Sequence, residues 1–402
     1  MNPCVFVSAL LKKHKYTNLC FILIVAFSIG LGVALSSQEN AFRSATSHSS
    51  DKFDLLIAPS GSKIDLLLNV IFLKLSPLEL LESSKWISLL DEKNVEFVAP
   101  LVFGDSFKKY PVVGTIPSFI QHLANGDIDG SVPVSTYDIV IGNKVDLSLG
   151  EIIEITHGHG VFVVGEAHSG HKFQVVGRLP YLGTPWDKSI ISTVESVWRI
   201  HGLPDGHHPD KRSLNLVGPP FDAEYLPDVT ALVVKPSSIS SAYKIRSRYQ
   251  TQSTMAFFPA EVLVELYAYL GNIMVVIGSN LVATQFIVVL AISSGIFLLV
   301  QQFRKKFAVF RALGASKKYI FSVIWYYTFI LICTGGILGL VVGYILAQAL
   351  AKYFELKEGV SIESTISSNE YFFAAMTMLI GLLAVIVPAC KVYKDDIIEN
   401  LK

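Results

Sequence analysis

Four long apolar stretches punctuate the chain: Leu19–Leu35, Val275–Gln301, Tyr319–Leu350 and Tyr371–Cys390. Each is about the length that an α-helix needs to cross a bilayer, roughly 20 residues. The first is separated from the second by a long segment of mixed character, whereas the last three follow one another closely. Positions Val5, Leu10 and Leu11 recur at helical spacing ahead of Lys12-Lys13-His14-Lys15, the pattern of an amphipathic segment on a membrane face. Gly32-Val33-Ala34 resembles a small-residue cleavage site. The length of the Leu19–Leu35 run and the later apolar runs favour an uncleaved anchor.

The mixed segment reads as a separate folded domain. Phe53–Ala58 reads as a buried strand after a Ser-rich polar connector, Ser36–Ser50, and Pro59–Ser62 reads as a turn. Val95–Pro100, Tyr110–Gly114, Ile139–Val140 and Val229–Lys235 also have strand character, and Glu151–Ile155, Val161–Val164 and Phe173–Leu179 have hairpin character. Helices are predicted over Pro77–Asp91, Pro117–Leu123 and Ser237–Tyr249. The expected fold is α-helical membrane protein: four transmembrane helices, with a large α+β periplasmic core domain inserted between the first and second. The expected parts are an amphipathic segment and first span over 1–35, a core domain over 36–257, a stalk helix and second span over 258–302, a cytoplasmic coupling helix over 303–318, a third span over 319–350, an outer loop over 351–370, and a last span with its tail over 371–402.

Composition agrees with a membrane protein. Of the 402 residues 51% are hydrophobic and only 16% charged, and the mean hydropathy is +0.49. The formal net charge is zero, but it is unevenly spread. The predicted inner segments hold roughly twelve Lys/Arg against three Asp/Glu, and 36–275 roughly nineteen against twenty-six, which puts both termini and the 303–318 segment in the cytoplasm. Cys4, Cys20, Cys333 and Cys390 all fall in or beside the spans or near the N-terminus, so the outer segment has no disulfide framework. The spans carry almost no ionisable residue, which argues against an ion path or proton relay. No phosphate-binding G-x-x-x-x-G-K-[ST] loop, H-E-x-x-H helix or G-x-S-x-G elbow is present, so neither ATP hydrolysis nor an evident hydrolase chemistry belongs to this chain. Nothing suggests nucleic-acid binding.

Three local patterns carry the candidate chemistry. Arg304, Lys305 and Lys306 precede Phe307-Ala308-Val309-Phe310-Arg311-Ala312-Leu313-Gly314-Ala315-Ser316, a basic–apolar stretch between two spans that another protein could push on. Gly335, Gly336, Gly339 and Gly343 have the small-residue spacing that lets membrane helices approach closely. Seven of the ten histidines fall between positions 157 and 208. Of these, His157, His159, His168 and His171 flank a predicted hairpin and are candidate ligands for Zn²⁺ or a similar ion. Their spacing matches no strong zinc signature, and a polar, glycine-rich surface loop is the alternative.

The order of parts, the Phe307–Ser316 stretch, and Pro388 before a short charged tail ending Ile398-Glu399-Asn400-Leu401 resemble the MacB/FtsX-type (type VII) ABC transporter permeases, in the LolC/MacB-like branch. Phe53-Asp54-Leu55, Gly104-Asp105-Ser106, Val113-Gly114-Thr115 and Phe173–Gly177 resemble the family's periplasmic core, and Leu182–Lys188 a loop of one subgroup. The resemblance implies a non-catalytic inner-membrane subunit that works as a homodimer or with a related permease. ATP would be bound and hydrolysed by a separate cytoplasmic ABC ATPase, whose motion Arg304, Lys305, Lys306, Phe310, Arg311, Leu313 and Gly314 would receive. The outer domain would then act on a substrate, with a periplasmic adaptor or substrate-binding protein as a further partner. Lys306 departs from the family, which often has an acidic residue there. The other implied role is a membrane-anchored regulator of a periplasmic hydrolase, as in the cell-division branch, whose outer domain is generally much smaller.

Overall fold

The computed structural model describes residues 3–157, 171–210, 216–358, 368–384 and 386. In chain order its elements are α1 (Pro3–Lys13), α2 (Lys15–Ser50), β1 (Leu55–Pro59), α3 (Lys63–Val70), α4 (Ser83–Trp86), β2 (Val95–Phe107), β3 (Tyr110–Thr115), α5 (Pro117–Ala124), β4 (Asp129–Gly130), β5 (Asp138–Ile141), β6 (Ile152–Ile153), β7 (Thr156–His157), β8 (Phe173–Arg178), β9 (Ile190–Thr193), α6 (Val194–Ile200), β10 (Ala231–Pro236), α7 (Ile239–Tyr249), β11 (Thr254–Phe257), α8 (Pro259–Ala312), α9 (Lys317–Glu358) and α10 (Ser368–Ala384). The chain divides into two compact units. One holds Met1–Phe42, Leu270–Tyr353 and Glu363–Lys402, and the other Arg43–Tyr269 and Phe354–Ile362.

The second unit is built on one mixed sheet, in the order β11-β1-β10-β2-β3-β9-β5-β8-β4, with β6 on β8 and β7 on β2. Most pairs are antiparallel; β3 with β9 and β5 with β8 are parallel. Successive side chains of a strand point to opposite faces, and here both faces of the middle strands are covered. Val113, Ile191 and Val140, matched across β3, β9 and β5, enter the larger core with Trp86, Phe119, Trp186 and Trp198. Their neighbours Val112, Ile190 and Ile141 enter a smaller core with Tyr110, Ile153 and Phe173. This two-sided burial explains why these strands read as continuous apolar runs. The long β2 serves both halves of the sheet, pairing with β10 through Leu101 and with β3 from Val102 onward. Its register shifts between Phe103 and Asp105. Gly104 sits at the shift with φ +146 and open space where a Cβ would stand, so backbone conformation alone asks for glycine there.

The first unit is helical. Two helices of the described residues are long and apolar enough to cross a bilayer, Lys15–Ser50 and Lys317–Phe354, and α10 holds a shorter apolar stretch, Glu370–Leu383. α8 is 54 residues long, about 80 Å at the usual helical rise.

The structure departs from the sequence reading at several places, and α9 runs on to Glu358, into the expected 351–370 loop. The Ser36–Ser50 connector is helix, the last part of α2. Ser36 and Asn40 donate to the buried Glu370 carboxylate, and Gln38 donates to the Ala347 carbonyl, so these polar residues are satisfied on neighbouring helices. Over Pro77–Asp91 only α4 and a 3₁₀ turn at Ile87–Leu89 form. Leu81 is drawn into an antiparallel bridge with Val229, and Asp228 accepts from the Ser83 N–H, so strand pairing wins over the helical pattern. Residues 303–318 are not a helix of their own; they are the end of α8, a tight turn and the start of α9. Val161–Val164, Pro388 and the tail after it lie outside the described residues.

Candidate functional site

The turn between α8 and α9 is set by a glycine and a serine. Gly314 has φ +95, a left-handed conformation that glycine adopts without penalty. The Gly314 N–H donates to the Arg311 carbonyl at 3.0 Å and the Ala315 N–H to the Phe310 carbonyl at 2.9 Å, the paired bonds of a Schellman cap. Ser316 then opens α9, its hydroxyl accepting from the Tyr319 N–H at 3.2 Å. One side of this helix end is packed. Phe303 and Phe307 are buried. The Phe6 ring of α1 lies 6.3 Å from Phe307 and 5.0 Å from Phe310, and His14 lies 5.1 Å from Phe303. Another side is bare and apolar, with Val309 49% and Leu313 78% exposed one helical turn apart. Arg311 is partly exposed, and the side chains of Arg304, Lys305 and Lys306 lie outside the described atoms.

The glycines divide between two neighbours. A Cβ on Gly335 would stand 2.8 Å from Val25 Cβ, one on Gly339 2.9 Å from the Ala26 carbonyl oxygen and from Ile29 Cβ, and one on Gly343 2.8 Å from the Gly30 carbonyl oxygen. Val25, Ile29 and Val33 of α2 are buried against this seam, and both helices advance along it in the same chain direction. Gly336 faces α10 instead, where a Cβ would meet the Met378 methyl at 1.9 Å.

Among the described residues the histidines stand in separate places. Among the described residues no cluster of three or more His, Cys, Asp or Glu side chains is placed to hold a metal ion. His159, His168 and the His157 side chain lie outside the described residues. The His171 ring packs 5.4 Å from Tyr137. Buried His207 stands 3.5 Å from the buried Glu195 carboxylate, which also accepts from the Gly218 N–H at 2.6 Å. Asp205 is clamped by Arg199 at 2.7 Å and by the His207 N–H, a structural role. His201, at the end of α6, turns its Nε2 toward the buried Asp105 carboxylate at 3.6 Å. That pair joins positions far apart in the chain, so no local spacing marks it. Asp187 organises the Leu182–Lys188 loop by accepting the Leu182 and Gly183 N–H groups, each at 2.8 Å. Burial pushes its carboxyl above the ordinary carboxylate value, and these two donors pull the other way.

Residues 278–397 match the model of the FtsX-like permease C-terminal family and are similar to it over that stretch. No curated protein matches the chain. Similar solved structures include the periplasmic region of MacB from Actinobacillus actinomycetemcomitans, at 11% identity and TM-score 0.32, covering 55% of this chain and 94% of that one. Another is the extracellular domain of the noncanonic ABC-type transporter YknZ from Gram-positive bacteria, at 10% identity and TM-score 0.29, covering 50% and 98%.

Proposed function

We propose that this chain is the permease subunit of an ABC transporter of the mechanotransmission type. ATP is hydrolysed by a separate cytoplasmic ATPase, and the work is delivered to the outer domain, which moves a substrate already beyond the inner membrane. The observation that supports it is the FtsX-like permease match laid over a capped turn with an exposed apolar pair, Val309 and Leu313. An apolar knob on a stiffly capped helix end suits docking into a groove of a partner. Arg304, Lys305, Lys306 and Arg311 supply basic charge around it for acidic groups of that partner. The Phe6–Phe310 packing ties the turn to α1, so a push there is carried by packed aromatic rings. In this reading the chain crosses the membrane four times with both termini inside, and it works as a dimer.

The test is co-purification from the native membrane in mild detergent. An ABC ATPase chain should be retained, and Leu313→Glu and Arg311→Glu should release it while leaving the melting temperature of the permease itself unchanged. Absence of any ATPase chain, or full retention by Leu313→Glu, overturns the reading.

A further inference from the structure

The bend between α1 and α2 gathers three lysines outside the α8–α9 turn. Lys12 and Lys13 close α1, and Lys15 opens α2. All three are exposed. The bend itself is fixed from inside. The Asn18 side-chain amide donates to the Leu11 carbonyl at 3.0 Å, and the Tyr327 hydroxyl of α9 donates to the Asn18 amide oxygen. Val7 and Leu10 of α1 are buried in the core of the helical unit. The apolar face of α1 is therefore taken by protein, and what this corner turns outward is charge.

That charge has no acid beside it. No Asp or Glu occurs in residues 1–38 or in 266–354. Among the described residues of the helical unit the acids are Glu39 and Glu370, and both stand at the far end of α2. Glu39 is about 36 Å of helix beyond Lys15, and Glu370 accepts from Ser36 and Asn40. This is several times the distance over which salt screens exposed charges, about 8–10 Å.

An apolar stripe begins where the lysines end. Tyr16, Leu19, Leu23, Phe27 and Leu31 of α2 are exposed and recur every three or four residues, so they share one helix face. Val25, Ile29 and Val33 lie on the opposite face, buried in the seam with α9. The Lys15 ammonium stands 5.0 Å from the centre of the Tyr16 ring, which ties the head of the stripe to the charge. Lysine, then tyrosine, then branched and aromatic apolar groups is the order in which a phospholipid presents its phosphate, its interface and its acyl chain.

We propose that this corner binds an anionic phospholipid of the inner leaflet, its headgroup held by Lys12, Lys13 and Lys15 and an acyl chain laid along the Tyr16–Leu31 stripe. The site rests on the four-span reading only in assigning the inner leaflet. Each basic group beside a span adds roughly a fivefold preference for anionic lipid.

The test uses the delipidated full-length chain in a neutral detergent. Phosphatidylglycerol and phosphatidylcholine with the same acyl chains compete, and bound lipid is counted by native mass spectrometry. Phosphatidylglycerol should be preferred by about tenfold or more, and added salt should lower the preference. Lys12→Gln, Lys13→Gln and Lys15→Gln should each reduce it about two- to fivefold, and the triple variant should bind the two lipids alike. Lys172→Gln, the same change of charge in the sheet unit, should leave it unaltered. Equal occupancy by the two lipids in the unsubstituted chain overturns the site. Equal loss in Lys172→Gln overturns it too, because net charge and not this corner would then select the lipid. A triple variant that keeps the full preference also overturns it, and loss of a co-purifying ATPase from that variant would assign the lysines to the protein partner. The competition is run without an ATPase, so its failure leaves the permease reading standing, and a missing ATPase leaves the lipid site standing.

Discussion

The two units close their interiors by opposite means. In the helical unit the α2–α9 seam is lined by residues without side chains, Gly335, Gly339 and Gly343, and branched Val25, Ile29 and Val33 press onto bare backbone. In the sheet unit the core is plugged by large rings: Trp186 lies 5.9 Å from Phe53 and 5.8 Å from Phe119. The difference follows from the solvent. Water expels apolar surface, so a large ring gains by burial wherever it fits. Lipid does not, so helices gain by approaching until dispersion contacts and backbone proximity outweigh contacts with acyl chains. Addition of atoms should therefore be worst in one unit and their removal worst in the other.

Gly339→Leu gives the largest expected effect. Its Cβ would already stand 2.9 Å from the Ala26 carbonyl oxygen, backbone that cannot give way without parting the helices. Loss of monodisperse protein on size exclusion is expected, whereas Gly336→Ala, which meets only the flexible end of Met378, should behave almost as the parent. Equal damage from both would break the distinction. Next is Trp186→Ala, which removes the ring and its hydrogen bond to the Val70 carbonyl. It should destabilise the sheet unit by about 3–5 kcal/mol, read as a melting shift on the order of 10 °C. Smallest is Gly104→Ala, which adds a methyl to open space and pays only for a φ of +146 that side-chain-bearing residues rarely adopt, about 1–3 kcal/mol. A cost near that of Trp186→Ala would mean the bulge is held by packing instead.

What the sequence made legible follows from how local each signal is. β3, β5, β8 and α5 were readable because two-sided burial and Pro117 at a helix start are written in neighbouring residues. The close-packing glycines were readable as spacing, but not that Gly336 turns to a different partner. Pro77–Asp91 has helical periodicity and yet is captured by Val229, which no local pattern announces. No local sequence pattern announces β9, α6 or β11. The first two follow directly on the Asp187 loop without a turn signal, and β11 is a four-residue edge strand. The histidine-rich stretch drew attention by composition. The pair the structure brings together, His201 and Asp105, takes one residue from each of two distant elements, and Gly104-Asp105-Ser106 stands out in the sequence only through a family likeness.

The aromatic packing of α1 against the end of α8 also bears on how this protein is handled at the bench. Phe6 of α1 sits on Phe310, and His14, between α1 and α2, sits on Phe303, so this helix is held on the end of α8. An affinity tag or fluorescent fusion placed ahead of Pro3 would load the very helix that packs on the turn between α8 and α9. A reporter inserted at Gly202, which has open space around its Cβ position, leaves that brace untouched.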